Sequence, residues 1–154
     1  MTSVKKLTIL FFVMILTSCI SQKDGLQNVN QGIKGTVKWL EGNMMPSPEE
    51  PNLAKGRGVE RQLFIYEAVN FNKVEGQAPL FKKINATLVK KVKTNTEGIF
   101  ACELPEGTYS VFTSEPDGLF FANSFDGNGL INSVKVERNK VSVMSIEVNY
   151  KAAY

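Results

Sequence analysis

The sequence predicts an all-β fold, a β-sandwich of seven or eight short strands. Apolar and polar residues alternate over short segments, which is the period of a half-buried strand. Glycine, proline, asparagine and aspartate recur between those segments, as in turns that join short strands. No segment shows sustained apolar spacing at i, i+3, i+4 and i+7, which an amphipathic helix requires. Many short strands with frequent turns are typical of a sandwich.

The first strand is predicted over residues 32–41, where Ile33, Val37 and Trp39 share one face. Residues 42–58 contain three prolines and three glycines. Because proline cannot donate to a ladder, we expect a long loop there. Residues 59–69 return to β-branched and aromatic composition and predict the next strand. We expect the stretch at 70–85 to be irregular.

The second half of the chain predicts strands separated by short turns. The expected strands are 86–94, 99–104, 108–114, 131–137 and 141–150. A short apolar segment lies at 119–125. The expected turns lie at 95–98, 105–107, 115–118 and 126–129, and proline at the second position favours type I at 115–118. We expect the last two strands to form a hairpin that closes one sheet, with a bulge near Val143.

The N-terminus has the layout of a secretory signal. Two lysines precede a ten-residue apolar run, and the sequence LTSC closes it at Cys19. The run is too short to cross a bilayer, which takes about 20 residues. A cysteine directly after the small residues matches the bacterial lipobox. We therefore expect a signal peptide at 1–18, a lipidated flexible tether at 19–31 and a folded domain at 32–150, with lipid attached to Cys19.

Composition excludes several classes of function. The formal charge is +3, of which Lys5 and Lys6 supply two, so residues 19–154 carry +1 and we expect no nucleic-acid partner. The chain contains no histidine, which removes Ser-His-Asp and Cys-His nucleophiles and histidine-ligated zinc. After lipidation Cys102 is the remaining thiol, and its alternate position favours packing. We expect no enzyme activity, cofactor or metal.

Three motifs carry a resemblance to a known family. They are GIKGTV at 32–37, TNTEGIF at 94–100 and LPEGTYSV at 104–111, and residues 134–148 fit a closing pair of strands. They resemble carboxypeptidase regulatory-like domains, which implies a transthyretin-like (prealbumin-like) sandwich and no catalysis. The chain departs from that pattern in the proline-containing loop and at 119–131. Fold alone does not give function.

The whole chain resembles a small Bacteroidota lipoprotein. Ile20 follows Cys19, so the aspartate that retains lipoproteins in the inner membrane is absent from this position. Ser21-Gln22-Lys23-Asp24 looks like the signal that exports such lipoproteins to the surface. The resemblance implies attachment to the bacterial outer membrane, on the cell surface in preference to the periplasmic face. Acyl chains on one cysteine form a lasting anchor.

Candidate contact residues lie in two loops. Met44 and Met45 are the best candidates for an exposed apolar surface, and the alternative is a loop folded back over the sandwich edge. Phe120 and Phe121, with Phe125, offer an aromatic platform for a sugar, and the alternative is core packing.

The acidic turn at Asp126 and Asn128 offers oxygens to Ca²⁺, but Leu130 and Ile131 break the EF-hand pattern. The alternative is an ordinary Gly/Asn loop, and we assign no metal.

From these observations we expect a non-enzymatic, lipid-anchored envelope module that binds another envelope protein or has a structural role. The alternative is a glycan- or small-ligand-binding module at the cell surface. The expected core residues are Tyr109, Val111, Phe100, Leu104, Val37, Trp39 and Val136.

Overall fold

The computed structural model describes residues 28–45, 48 and 55–154. Within these ranges the protein is all-β, without an α-helix, and two sheets form a sandwich-like arrangement. No helix in this part of the chain is long and apolar enough to cross a membrane. The expected signal peptide, Cys19 and most of the expected tether lie outside the described residues.

Eleven strands occur in the described ranges, in place of the seven or eight expected. They are β1 (Gly32–Asn43), β2 (Arg57–Gly58), β3 (Gln62–Glu67), β4 (Val74–Gln77), β5 (Leu80–Ile84), β6 (Leu88–Lys93), β7 (Ile99–Glu103), β8 (Gly107–Ser114), β9 (Phe120–Phe121), β10 (Ser133–Val136) and β11 (Val141–Ala153). The additional strands are two two-residue segments, β2 and β9, and the hairpin β4–β5.

The first sheet, sheet A, is built around β1. One edge of β1 pairs in parallel with β11 along nearly its whole length, so the first and last strands are neighbours. The other edge pairs with β7 and then with β2, both antiparallel. A parallel pair cannot be joined by a tight turn, so the whole domain lies between its two partners in sequence.

The second sheet, sheet B, has the order β4-β5-β9-β8-β3-β6, and β10 also pairs with β8. Strand β8 is central, because it pairs with β3 on one edge and with β9 and β10 on the other. The connection between β9 and β10, residues 122–132, therefore leaves and re-enters the sheet beside the same strand.

The main core lies between the two sheets. All seven expected core residues are buried, which confirms the period-2 assignments of the main strands. The motif LPEGTYSV forms the turn between β7 and β8, where the hydroxyl of Tyr109 donates to the carbonyl of Pro105 at 3.0 Å. The turn before β7 is also confirmed, since Gly98 adopts a φ of 77°.

The expectation of an irregular stretch at 70–85 is wrong, because this stretch contains the β4–β5 hairpin. Its strands are only four and five residues long, and the register shifts between Glu75 and Gly76, where Gly76 has a φ of 106°. Such short strands with a bulge have too little alternation to be recognised from sequence.

The expectation that the last two strands close one sheet as a hairpin is also wrong. Strand β10 belongs to sheet B and β11 to sheet A, so the chain crosses between sheets at this turn. No bulge is needed near Val143, because Val143 points outward while Ile146 and Val148 point into the core. The irregularity in register lies later, opposite Trp39 and Glu41.

The turn after β8 differs from the expected type I. Asp117 and Gly118 have φ values of 63° and 71°, and the amide of Leu119 donates to the carbonyl of Pro116. Two positive φ values are the requirement of a type I′ turn, which matches the twist of a two-residue hairpin. Asp-Gly, and not the proline before it, therefore decides the turn.

A second apolar cluster lies on the outer face of sheet B. Its buried members are Tyr66, Val69, Phe81, Phe112, Ala122 and Ile131. Residues 69–73 and 122–132, which we call the outer layer, cover this face. The amide of Val69 donates to Oγ of buried Ser110, whose neighbours Tyr109 and Val111 point into the main core. The outer layer therefore gives this sheet a second buried face.

Candidate ligand-binding surface

The two methionines of the proposed contact loop have different environments. Met44 is buried, and its amide donates to the carbonyl of Ala153 at 2.8 Å because β1 and β11 continue to their ends together. The expectation that Met44 is exposed is therefore wrong, and the alternative of a residue folded against the sandwich edge applies to it. Met45 is exposed, as expected.

The two neighbouring phenylalanines are mainly structural. Phe121 is buried in the main core beside the ring of Tyr150, with 5.8 Å between centroids. The expectation that Phe121 contacts a ligand is wrong, because successive strand residues point to opposite faces and Phe121 points inward. Phe120 points outward, is half-buried and packs edge-on against Phe64 at 5.2 Å.

Asp126 organises its own turn. One carboxylate oxygen accepts from the amides of Asn128 and Leu130 at 2.8 and 2.9 Å, and the other accepts from the hydroxyl of Ser133. The hydrogen bond from the Leu130 amide, with those from Ser133 and Asn128, holds the pKa of Asp126 below its usual value. Among the described residues no three His, Cys, Asp or Glu side chains are grouped to hold a metal ion.

An exposed aromatic pair lies on the outer layer. The rings of Phe71 and Phe125 are 5.0 Å apart between centroids with 33° between their planes. Phe71 is 49% exposed and Phe125 is 42% exposed. We call Phe71 and Phe125, with the exposed residues Asn72 and Asn128 of the same two segments, the aromatic face. It joins two segments that are 54 positions apart in sequence.

Backbone contacts hold the two segments together. The side chain of Asn70 caps the short 3-10 turn Phe71–Lys73 by accepting from the amide of Asn72. Isolated bridges join Asn70 to Leu130 and Phe125 to Ile131, and the amide of Ile131 donates to the carbonyl of Val69. The rings therefore lie on a turn and a loop that are fixed to each other.

Phe71 was missed at the level of sequence, whereas Phe125 belongs to the aromatic set that the sequence suggested. Phe71 lies between two asparagines in the stretch expected to be irregular, without an alternating pattern around it. The signal in the sequence is that Phe71 is a single large apolar residue among polar ones in NFNK. Such a residue is not part of an alternating pattern that would bury it on the face of a strand. Exposed aromatic residues with polar neighbours are stronger indications of binding than aromatic residues in a strand.

Cys102 is a packing residue. Its side chain is buried between the sheets, and burial raises the pKa of the thiol to about 11. A thiol that stays protonated is a poor nucleophile. This environment agrees with the packing role expected from its alternate position.

An ion pair lies within sheet B at the C-terminal end of β8, and Tyr150 of β11 connects it to sheet A. Arg61 Nε lies 3.1 Å from Glu115 Oε1, and the Glu115 side chain is 1% exposed. Thr113 and Tyr150 also donate to this carboxylate, at 2.8 and 3.0 Å. The pKa of Tyr150 is raised to about 12, mainly because the hydroxyl is buried and secondly because it donates a hydrogen bond to Glu115. All these groups have partners, so the network is structural.

A shallow groove of about 450 Å³ lies on the outer face of sheet A. Its lining includes Lys34, Thr36, Ile99, Ala101 and Val143, and the first described residues, Asn28 and Val29, lie at its edge. The segment that leads into β1 therefore forms part of the groove wall.

Comparison with protein-family models, with curated proteins and with solved structures gives no match for this chain.

Proposed function

We propose that this protein is a non-enzymatic, lipid-anchored envelope module that binds another component of the envelope through the aromatic face. The observation that carries the proposal is the outer layer. Two segments outside the main sandwich cover sheet B and expose the rings of Phe71 and Phe125. Loops on a rigid scaffold are where binding residues concentrate.

The anchor and the surface are compatible in position. The described chain enters β1 at Gln31, whose side chain donates to the carbonyl of Leu104 and accepts from the amide of Asn139. These contacts fix the entry point to one end of the sandwich, whereas the aromatic face lies on the outer side of sheet B. Nine residues from 19 to 27 reach at most about 30 Å. The described residues before β1 lie beside the outer face of sheet A, so they do not cover the aromatic face.

The resemblance to carboxypeptidase regulatory-like domains supports a non-catalytic role, and the proposed transthyretin-like topology rests on it. The lack of histidine throughout the sequence supports the same conclusion. We propose attachment to the bacterial outer membrane, with surface display preferred.

The anchoring half of the proposal is tested by Cys19→Ala. We expect this variant to leave the membrane fraction and to lose metabolic labelling with a fatty acid, because the acyl chains supply the membrane affinity. A variant that stays in the membrane with its lipid label would contradict the proposal.

The binding half is tested by crosslinking in cells. A benzophenone maleimide attached at Gly127→Cys would sample the aromatic face, because Gly127 is exposed with open space around it. Val143→Cys, on the outer face of sheet A, is the matched control, and buried Cys102 stays unlabelled. We expect a recurrent adduct, protein or carbohydrate, from position 127 only. Equal adducts from both positions, or none, would contradict the proposal.

A further inference from the structure

The composition of the aromatic face indicates the chemistry of its ligand. The outer layer contains two ionisable side chains, Lys73 and Asp126. The ammonium group of Lys73 donates to the carbonyl of Ala68, and the Asp126 carboxylate accepts two hydrogen bonds from its own loop and one from Ser133 at the start of β10. These two charges are opposite in sign and each already has hydrogen-bond partners in the fold, so the outer layer itself offers no unpartnered charge to a ligand.

The polar groups beside the rings are neutral amides. Asn70 is used as the cap of the 3-10 turn, but the side chains of Asn72 and Asn128 make no hydrogen bond within the described part of the chain. Each free amide offers two donor hydrogens and one acceptor oxygen. Such a group can bind two neighbouring hydroxyl groups of one ligand at the same time.

The rings are firmly supported. Phe71 packs on buried Phe81 with 6.5 Å between centroids, and the bridge from Phe125 to Ile131 connects the second ring to the same cluster. Because these contacts already restrict the two rings, little side-chain entropy is lost when a ligand packs on their exposed side. The face of an aromatic ring is electron-rich and attracts weakly positive hydrogens, including those on carbon.

These features match a sugar better than a protein. Hot spots between proteins are commonly tryptophan, tyrosine or arginine in a pocket with surrounding contacts that exclude water. Here the surroundings are asparagines and the open glycines Gly127 and Gly129. A pyranose ring has a C–H face for the aromatic rings and an edge of hydroxyls for the amides.

We infer that the aromatic face is a binding site for a neutral carbohydrate, with a pyranose ring packed on Phe71 and Phe125 and its hydroxyls bound by Asn72 and Asn128. This inference rests on the proposed function, because it names the class of envelope component that the face binds. It differs from the platform suggested by sequence, since Phe121 is buried and Phe71 takes its place.

The test uses the chain purified from cells in detergent micelles, on an array of neutral oligosaccharides of glucose, galactose, mannose, xylose and N-acetylglucosamine. Isothermal titration follows for any glycan that binds. We expect saturable binding, weakened about tenfold by Phe71→Leu and by Phe125→Leu, since a ring contact contributes on the order of one decade of affinity. Leucine keeps apolar volume, so these variants separate ring stacking from a general apolar contact.

Tyr154→Ala is the matched control, because Tyr154 is a 74% exposed aromatic residue outside the outer layer. We expect Tyr154→Ala to bind the glycan as the unsubstituted chain does. We expect the double variant Asn72→Ala with Asn128→Ala to bind the glycan more weakly at an unchanged melting temperature. Binding to none of the oligosaccharides would overturn the inference, as would binding that both leucine variants retain. A protein adduct from position 127 without glycan binding would overturn it and leave the proposed function intact, whereas no adduct and no glycan binding would contradict both.

Discussion

Arg61→Ala is expected to lower the free energy of unfolding by about 3 kcal/mol, because it leaves the Glu115 carboxylate buried without its cation. The Glu115 side chain is 1% exposed and that of Arg61 is 22% exposed, so the effect falls at the lower end of the range for buried pairs. The guanidinium also lies over the Trp39 ring at 5.2 Å, and this contact is lost as well. Chemical denaturation of purified chain measures the difference.

Two further variants separate the origins of that loss. Arg61→Ala with Glu115→Gln removes the unpaired charge, and we expect it to be more stable than Arg61→Ala alone, because a neutral amide is cheaper to bury than a carboxylate. Glu75→Gln is the control, since its ion pair with Lys83 is exposed and contributes little to stability. A loss below 1 kcal/mol for Arg61→Ala would show that Glu115 is not a buried, pair-dependent charge.

Phe81→Ala is expected to cost about 3–5 kcal/mol, because Phe81 is fully buried at the centre of the second cluster. Its ring packs against Phe112 at 6.0 Å and supports Phe71 at 6.5 Å. We therefore expect this variant to lose ligand binding as well as stability. Chemical denaturation and titration of the same preparation give both results.

The matched control is Phe125→Ala, at an exposed ring on the same layer. Its cost is expected to stay below about 1.5 kcal/mol, since the ring is partly exposed and loses mainly its contact with Phe71. Equal costs for Phe81→Ala and Phe125→Ala would mean that the outer layer has no packed interior of its own.

The sequence was sufficient for the sandwich but not for the outer layer. Long strands such as β1 and β8 have clear alternation, and their inward residues Val37, Tyr109 and Val111 are buried as expected. The β4–β5 hairpin and the two-residue β9 are too short to show a period. Which sheet receives β10 and β11 depends on contacts far apart in sequence, which local patterns do not encode.

The candidate site shows the same limit. Asp126 and Asn128 were identified from their turn, and the structure assigns Asp126 to folding that turn. Phe121 differs from Phe125 in exposure because one lies in a strand that faces the core and the other in the covering loop. Phe71 can be recognised as a site residue only from the structure, because the bridge between Asn70 and Leu130 brings its ring beside that of Phe125.

We expect this protein to bind an envelope component through the aromatic face. The most direct measurement is an NMR map of the ¹⁵N-labelled chain in detergent micelles, with and without a detergent-solubilised envelope extract of the source cells. Binding through the aromatic face predicts amide shift changes confined to residues 70–73 and 124–130, and their loss in Phe71→Leu. Shift changes centred on the groove beside Lys34 and Val143, or none anywhere, would contradict it.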